Sequence, residues 1–362
     1  MISTPKGSLE EGLTHIGTAE HGGAVWMANG QRSRSMDFSA NIWPYPMDVS
    51  KFSEWISHLD AYPDPDCRAL VSAAAAHYGV EPGQIFAANG STEALYLAML
   101  TLRPKKVAIF EPTFSEYERA AQWATASTVE VVRIQAYPKA DFVPALRVPN
   151  ADVAILCNPN NPTGVYLPRE VLGTWLDACA AANVFVVMDE AFIEFVEDEA
   201  ASMADELATR SNLLILRSMT KFFGIPGIRL GFALGAAGFI RKIWQNRIPW
   251  SVNVIAQQMG TYLAQDSISQ AGVAARVACE RLFLSQGFER LGCTVLPSTA
   301  NFILCKLPHG QSNRDLLSRL SEKGFLLRDA ANFHGLNGEY VRCAVKERPE
   351  NDALLKAIAE CW

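Results

Sequence analysis

Through the middle of the chain, short apolar runs alternate with stretches of helical period. Val107–Phe110, Val129–Ile134, Val153–Cys157, Val184–Met188 and Leu213–Leu216 read as strands, and Ser115–Thr125 and Pro168–Ala182 between them as helices. Ahead of them a helix is predicted over Cys67–Tyr78, and Asn89-Gly90-Ser91-Thr92-Glu93 opens an apolar helical run to Leu102. Strands apolar on both faces and separated by helices imply a mainly parallel sheet covered on both sides. Ile248-Pro249-Trp250-Ser251-Val252-Asn253 reads as a junction, followed by a long helical tract interrupted near Gly272 and ending about Gln286. The remainder mixes strands (Asn301–Lys306, Phe325–Arg328, Tyr340–Val345) with helices (Asn313–Lys323, Pro349–Ala359). The predicted fold class is α/β: a large domain over 46–250, a smaller α+β domain over 251–362, and an irregular arm over 1–45 that joins the small domain.

Composition narrows the class. The chain has 362 residues, enough for a large core and two domains. With 49% hydrophobic and 19% charged residues it reads as folded and globular. A net charge of -6 argues against a general nucleic-acid binder. No apolar run reaches the length of a membrane span, and the polar segment Met1–Gly12 lacks a signal-peptide core, so the expected location is the cytoplasm. The eight cysteines form no CxxC pair and read as buried free thiols. The six histidines form no HxxxH or HExxH pattern, which disfavours a metal enzyme.

The candidate chemistry falls at the carboxyl ends of the predicted strands, where open α/β sheets bind ligands. Asn161 follows one strand, Asp189 ends another and Lys221 follows a third. Lys221 lies in Ser218–Gly231, a stretch broken by glycines and a proline, with Arg229 eight residues on. A lysine in an apolar, tightly turned segment loses its proton more easily than one in water, and the neutral amine forms a Schiff base with an aldehyde. Arg229 suits a phosphate. Together they suggest pyridoxal 5'-phosphate; the plainer alternative is a surface lysine and a helix-flanking arginine. Gly90, Ser91 and Thr92 at a helix start make an anion site from backbone N–H groups and hydroxyls, or an ordinary N-cap. Asp189 suits a protonated pyridine nitrogen, or a salt bridge; Glu190 would point to the opposite face. Asn161, in a Pro- and Gly-rich turn, could donate to a ring oxygen or serve the turn alone. Phe114 could stack on a flat heterocycle or simply fill the core, and the signal at Tyr117 is weaker still. Arg342, inside a strand-like run, needs a partner, either a substrate carboxylate or a structural acid. Arg328 and His21, the latter ahead of two glycines that permit close backbone approach, would suit a second anionic group or lie at the surface.

In order and spacing these residues resemble the fold-type I enzymes that use pyridoxal phosphate, across about residues 20–360. Within that superfamily the chain is similar to two groups, the threonine-phosphate decarboxylases of cobalamin biosynthesis and the histidinol-phosphate aminotransferases. His21-Gly22-Gly23, Asp37-Phe38-Ser39-Ala40-Asn41-Ile42, Ile248–Asn253 and Asp189-Glu190-Ala191-Phe192, where the aminotransferase usually has tyrosine at the Phe192 position, look like the decarboxylases. The resemblance implies a homodimer in which Tyr62, part of the turn Tyr62–Asp66, reaches the cofactor phosphate of the neighbouring subunit. It implies that Arg342 holds the substrate carboxylate and that His21, Asn41 and Arg328 sit near the substrate phosphate. The activity it implies is decarboxylation of L-threonine O-3-phosphate; the alternative is transamination of histidinol phosphate or a related amino acid. A third reading, a non-catalytic pyridoxal-phosphate-binding module, is disfavoured by the intact Lys221, Asp189 and Arg229.

Overall fold

The protein is described by a computed structural model covering residues 22–23, 25, 31–44, 49–135, 146–198, 200–266, 270 and 272–362. A two-residue strand, β1 (Met36–Asp37), precedes a seven-stranded sheet. That sheet is built from β2 (Ile85–Ala88), β3 (Lys106–Glu111), β4 (Glu130–Gln135), β5 (Val153–Cys157), β6 (Phe185–Asp189), β7 (Leu213–Ser218) and β8 (Gly231–Gly235) in the order β2-β8-β7-β6-β5-β3-β4. Only β8 runs against the others. The order reverses between β3 and β5, which lie side by side although β4 intervenes in the chain. Such a switch opens a crevice at the carboxyl ends of the strands.

The two-residue period of the strands sorts this sheet into two buried faces. Ala154 and Leu156 of β5, Val186 and Met188 of β6 and Ile215 of β7 pack on one side. Val153, Ile155 and Cys157, Val187, and Leu214 and Leu216 pack on the other. The doubly apolar runs seen in the sequence therefore mean what a parallel sheet under helices requires. Two strands escape the sequence pattern: β2 (Ile-Phe-Ala-Ala) and β8 (Gly-Phe-Ala-Leu-Gly). Both are at least half Ala or Gly, residues of low strand propensity; they pair with one another, and β8 also pairs with β7. Gly231 at the start of β8 is also steric, because a Cβ there would collide with the backbone nitrogen of Ser91.

A four-stranded antiparallel sheet follows, ordered β12 (Arg328–Asp329), β13 (Tyr340–Ala344), β10 (Phe302–Lys306), β9 (Thr294–Val295). The predicted single strand over Phe325–Arg328 is a correction: it divides at Leu327. Its first part, β11 (Phe325–Leu326), pairs in parallel with β1, while Arg328 passes into the four-stranded sheet beside β13. The pairing of β1 ties the segment around Asp37 to the C-terminal part of the chain. The long helical tract after the junction includes, among the described residues, the helices Val254–Gln265 and Val273–Arg290, with Gly272 at φ 75° opening the latter.

Beneath the sheet lies a buried ion network. Arg217 on β7 donates to Glu190 (2.8 Å) and Glu194 (2.9 Å) and lies 4.6 Å from the centre of the Tyr78 ring. Glu190 also accepts from Ser202 Oγ (2.7 Å) and the Met203 backbone N–H (2.8 Å). Arg217 is 5% exposed and Glu190 0%. Removing one member strands the others without water, so Arg217→Leu is expected to lower the unfolding free energy by about 3–5 kcal/mol. Urea unfolding measures it, and a loss below about 1 kcal/mol, the range of exposed pairs, would show that the network is dispensable.

Candidate active site

A cavity of about 210 Å³ opens at the carboxyl ends of β5, β6 and β7. Its walls come from the large sheet, from the four-stranded sheet (Arg328, Arg342) and from the early segment that includes Gly22, Ser39 and Asn41. One end is an anion cradle. The helix Ser91–Leu102 begins here, and Gly90, Ser91 and Thr92 line the wall with the N–H groups of its first turn. Gly90 adopts φ 85°, and a Cβ there would lie 2.5 Å from Arg229 Nη2, so the guanidinium covers the helix start only because that position lacks a side chain. Ser218 ends β7 and its hydroxyl shares a hydrogen bond with Thr220 Oγ1 (2.8 Å).

Lys221 is carried by a one-turn helix, Met219–Phe222, directly after β7, which turns its amine into the cavity. Burial, reinforced by the positive charges of Arg342 and Arg229 and opposed by Asp189, pushes its pKa down to about 8. Asp189 ends β6 on the face shared with Cys157, its register partner on β5. Tyr117 Oη donates to Asp189 Oδ2 (2.7 Å) and the Ala191 backbone N–H to Oδ1 (3.0 Å). Burial raises the pKa of this carboxyl, and both hydrogen bonds and Lys221 pull it back. Glu190 points the other way, into the ion network with Arg217, as the two-residue period requires. Phe114 lines the cavity with its ring edge-on to Tyr117, 5.6 Å between centroids.

At the other end two arginines face each other across adjacent strands, Arg328 on β12 directly opposite Arg342 on β13. Arg342 is 6% exposed and Arg328 7%. Arg342 donates to Asn161 Oδ1 (2.5 Å) and to the Ser39 carbonyl (2.7 Å), and its Nε has no partner among the described residues. Burial and the neighbouring Arg328 push its pKa down, the mark of a cation short of negative charge. Arg328 donates to Asn332 Oδ1 (2.8 Å) and lies over the Phe333 ring at 5.5 Å. Asn41 is 3% exposed, lines the same cavity, and its Oδ1 has no partner among the described residues.

The cavity thus gathers the residues predicted at Gly90, Ser91, Thr92, Phe114, Asn161 and Asp189, and those at Ser218, Lys221, Arg229, Asn41, Arg328 and Arg342. Tyr62 is not among them: it is 82% exposed and stacks on Trp250 at 4.9 Å. His21 lies outside the described residues. Its neighbour Gly22 does line the cavity, but the close approach that glycine permits is to the Ser39 carbonyl rather than to a ligand, since a Cβ at Gly22 would collide with that oxygen. Asn332 and Phe333, and the bond from Tyr117, went unseen in the sequence; the only local signal was the placing of Tyr117 one helical turn after Phe114.

These residues fit pyridoxal 5'-phosphate. An amine with lowered pKa suits its aldehyde, the Gly90 cradle with Arg229 its phosphate, a buried carboxylate its ring nitrogen, and Phe114 its face. Because the Lys221 amine titrates near 8 rather than at 10.5, loading of the cofactor-free protein should accelerate about tenfold per pH unit only up to about pH 8 and then level off. Visible absorbance during reconstitution follows it. A rise that continues to pH 10, or a band that still forms in Lys221→Ala, would contradict this reading.

The chain matches the family model for aminotransferase class I and II over residues 47–358. It is similar to the threonine-phosphate decarboxylase of Salmonella typhimurium, 34% identical over 333 residues that cover 89% of this chain and 90% of that protein. Among solved structures it is similar to the histidinol-phosphate aminotransferase from Clostridium acetobutylicum, with a TM-score of 0.82, 28% identity and coverage of 89% of this chain and 98% of that one. It is also similar to the L-threonine-O-3-phosphate decarboxylase from Porphyromonas gingivalis, with a TM-score of 0.79, 27% identity and coverage of 89% and 98%. The chain therefore belongs to the aminotransferase class I and II family and has the fold type I architecture of the pyridoxal-phosphate-dependent enzymes.

Proposed function

We propose that the protein decarboxylates L-threonine O-3-phosphate to (R)-1-amino-2-propanol O-2-phosphate. The observation that carries this reading is the facing pair of buried arginines, Arg328 and Arg342, beside Lys221. Arg342 keeps an Nε without a partner among the described residues, and two guanidinium groups set opposite one another suit a substrate with two anionic groups. Phosphothreonine brings a carboxylate and a phosphate together with an α-amine. Histidinol phosphate has no carboxylate, so an aminotransferase acting on it would fill both arginines only in its half-reaction with a dicarboxylic amino acid. The 34% identity to a threonine-phosphate decarboxylase supports the same choice.

In this reading Lys221 would hold the cofactor aldehyde, Gly90–Thr92, Ser218 and Arg229 would hold its phosphate, and Asn161, whose carbonyl is occupied by Arg342, would have its amide N–H left to donate to the ring oxygen. Arg342 takes the substrate carboxylate as a bidentate pair. Arg328 takes the substrate phosphate, joined by Asn41 and His21. These two anchors decide which bond at Cα stands perpendicular to the ring. When bound, the cofactor accepts the electron pair left as carbon dioxide departs. Lys221, once free, returns a proton to Cα, and Asp189 keeps the proton on the ring nitrogen.

A second copy of the chain completes the site in this proposal. Tyr62 and Trp250 are large, exposed side chains in contact, and Ile248, two residues before Trp250, is exposed as well; exposed apolar surface of this kind marks an interface, and Tyr62 would reach the partner's cofactor phosphate. The eight free thiols, all buried except Cys279, suit a reducing compartment such as the cytoplasm.

Incubation of the loaded protein with L-threonine O-3-phosphate should release carbon dioxide, and Arg342→Ala should raise KM about a hundredfold or more, as expected when a buried charge partner is deleted. Amino transfer from histidinol phosphate to 2-oxoglutarate without carbon dioxide release from phosphothreonine would overturn the assignment. Sedimentation should give twice the chain mass of 39.7 kDa; a monomer that turns over at full rate would remove Tyr62 from the site.

A further inference from the structure

Asp189 is held by a partner that the cofactor chemistry does not by itself demand. Tyr117 is fully buried, at 0% exposure, on the helix Glu116–Ala124, and among the described residues its carboxylate contact is the 2.7 Å bond to Asp189 Oδ2. Its ring is packed among Ala120, Ala121 and residues of the sheet face that carries Cys157. Cys157, in register with Asp189, lies beside the same hydroxyl and donates its own S–H to the Pro159 carbonyl (3.2 Å). Water therefore does not compete for this bond. Burial in an apolar shell, next to the Asp189 charge, keeps the phenol protonated, so Tyr117 acts there as a donor.

The consequence concerns a single proton. A buried carboxylate and a pyridine nitrogen in contact share one proton, and in a low-dielectric site the neutral pair competes with the ion pair. Every hydrogen bond donated to the carboxylate lowers its proton affinity and moves the balance toward the charged ring. The Ala191 backbone N–H supplies one such bond and Tyr117, among the described residues, the only one from a side chain. We propose that Tyr117 is a positioning residue for Asp189: its hydroxyl holds the carboxylate anionic and aimed into the cavity, so that the proton rests on the cofactor nitrogen rather than on Asp189. This rests on the placement of the ring nitrogen at Asp189 and is independent of whether the substrate is phosphothreonine.

The test uses the loaded protein carrying cofactor labelled with ¹⁵N in the ring. In the unaltered protein the resonance should lie in the pyridinium range; a pyridine value there would refute the role given to Asp189 itself. In Tyr117→Phe the proton balance should move about tenfold or more toward Asp189, the worth of one hydrogen bond to a charged group, and the resonance should move toward neutral pyridine. The same variant should lower kcat by about tenfold to a hundredfold with KM changed by less than about threefold, because the bond stabilises the electron-accepting ring and not the substrate anchors. A variant with 3-fluorotyrosine at position 117, a stronger donor of the same shape, should move the resonance the opposite way and gives a reading even where Tyr117→Phe does not fold. An unchanged ¹⁵N shift in either variant would overturn the proposal.

Discussion

The arrangement of the site follows from one electrostatic constraint: Lys221, Arg229, Arg328 and Arg342 share a cavity of about 210 Å³ with, among the described residues, a single carboxylate, Asp189. Burying a cation without an anion is costly, and elsewhere the chain avoids that cost in the usual way. Arg217 is sandwiched between Glu190 and Glu194, and Arg210 between Asp177 and Glu206. In the cavity the same problem is met differently. Arg342 is satisfied by an amide oxygen and a peptide carbonyl, and Arg328 reaches the amide oxygen of Asn332. Neutral acceptors orient a guanidinium without cancelling its charge. Burial and the charges of Arg342 and Arg229 make the Lys221 amine give up its proton more readily, and Arg342 remains available to an anionic ligand.

Sheet parity keeps these two solutions apart. Asp189 and Ser218 end their strands on the face that opens into the cavity, while their neighbours Glu190 and Arg217 fall on the opposite face and close the ion network. A slip of one residue in β6 would exchange Asp189 for the structural Glu190, and one in β7 would put Arg217 where Ser218 stands. The register is fixed by the doubly apolar runs above it, Val186 to Met188 and Leu213 to Leu216, whose every residue is buried. The hydrophobic core therefore does more than stabilise the fold, since it decides which carboxylate meets the ligand.

This parity explains what was legible in the sequence. Strands rich in Val, Ile and Leu announce themselves, and with them the positions of Asn161, Asp189 and Lys221 at their ends. The choice of Asp189 over Glu190 needs only the two-residue period. Features that depend on distant partners were not legible. The strands β2 and β8 are too rich in Ala and Gly to be seen alone. The break at Leu327 exists because β1 claims Phe325–Leu326 while β13 claims Arg328, and nothing in the local run marks it. Gly22 looked like a ligand-facing glycine, whereas its space is taken by the Ser39 carbonyl. Tyr117 looked like core, and it is core; its hydroxyl gains a role only because Asp189, 72 residues away, ends beside it.

The same long-range contacts link the two halves of the proposed reaction. Asn161 lines the cavity and accepts from Arg342 through its side-chain carbonyl. Arg342 is in turn seated on the Ser39 carbonyl, and Ser39 Oγ accepts from the Gly23 backbone N–H (2.8 Å) and donates to Asp37 (2.6 Å). A chain of hydrogen bonds thus runs from the early segment of the protein, through Ser39 and Arg342, to Asn161. Replacing Asn161 by an acid would neutralise Arg342 and cost the anchor its charge, whereas an apolar residue would leave a buried N–H of Arg342 unpaired. An amide is the side chain that both holds the arginine and leaves it cationic. That requirement ties the placement of the substrate to the placement of the ring, which is the geometry on which the choice of bond at Cα depends.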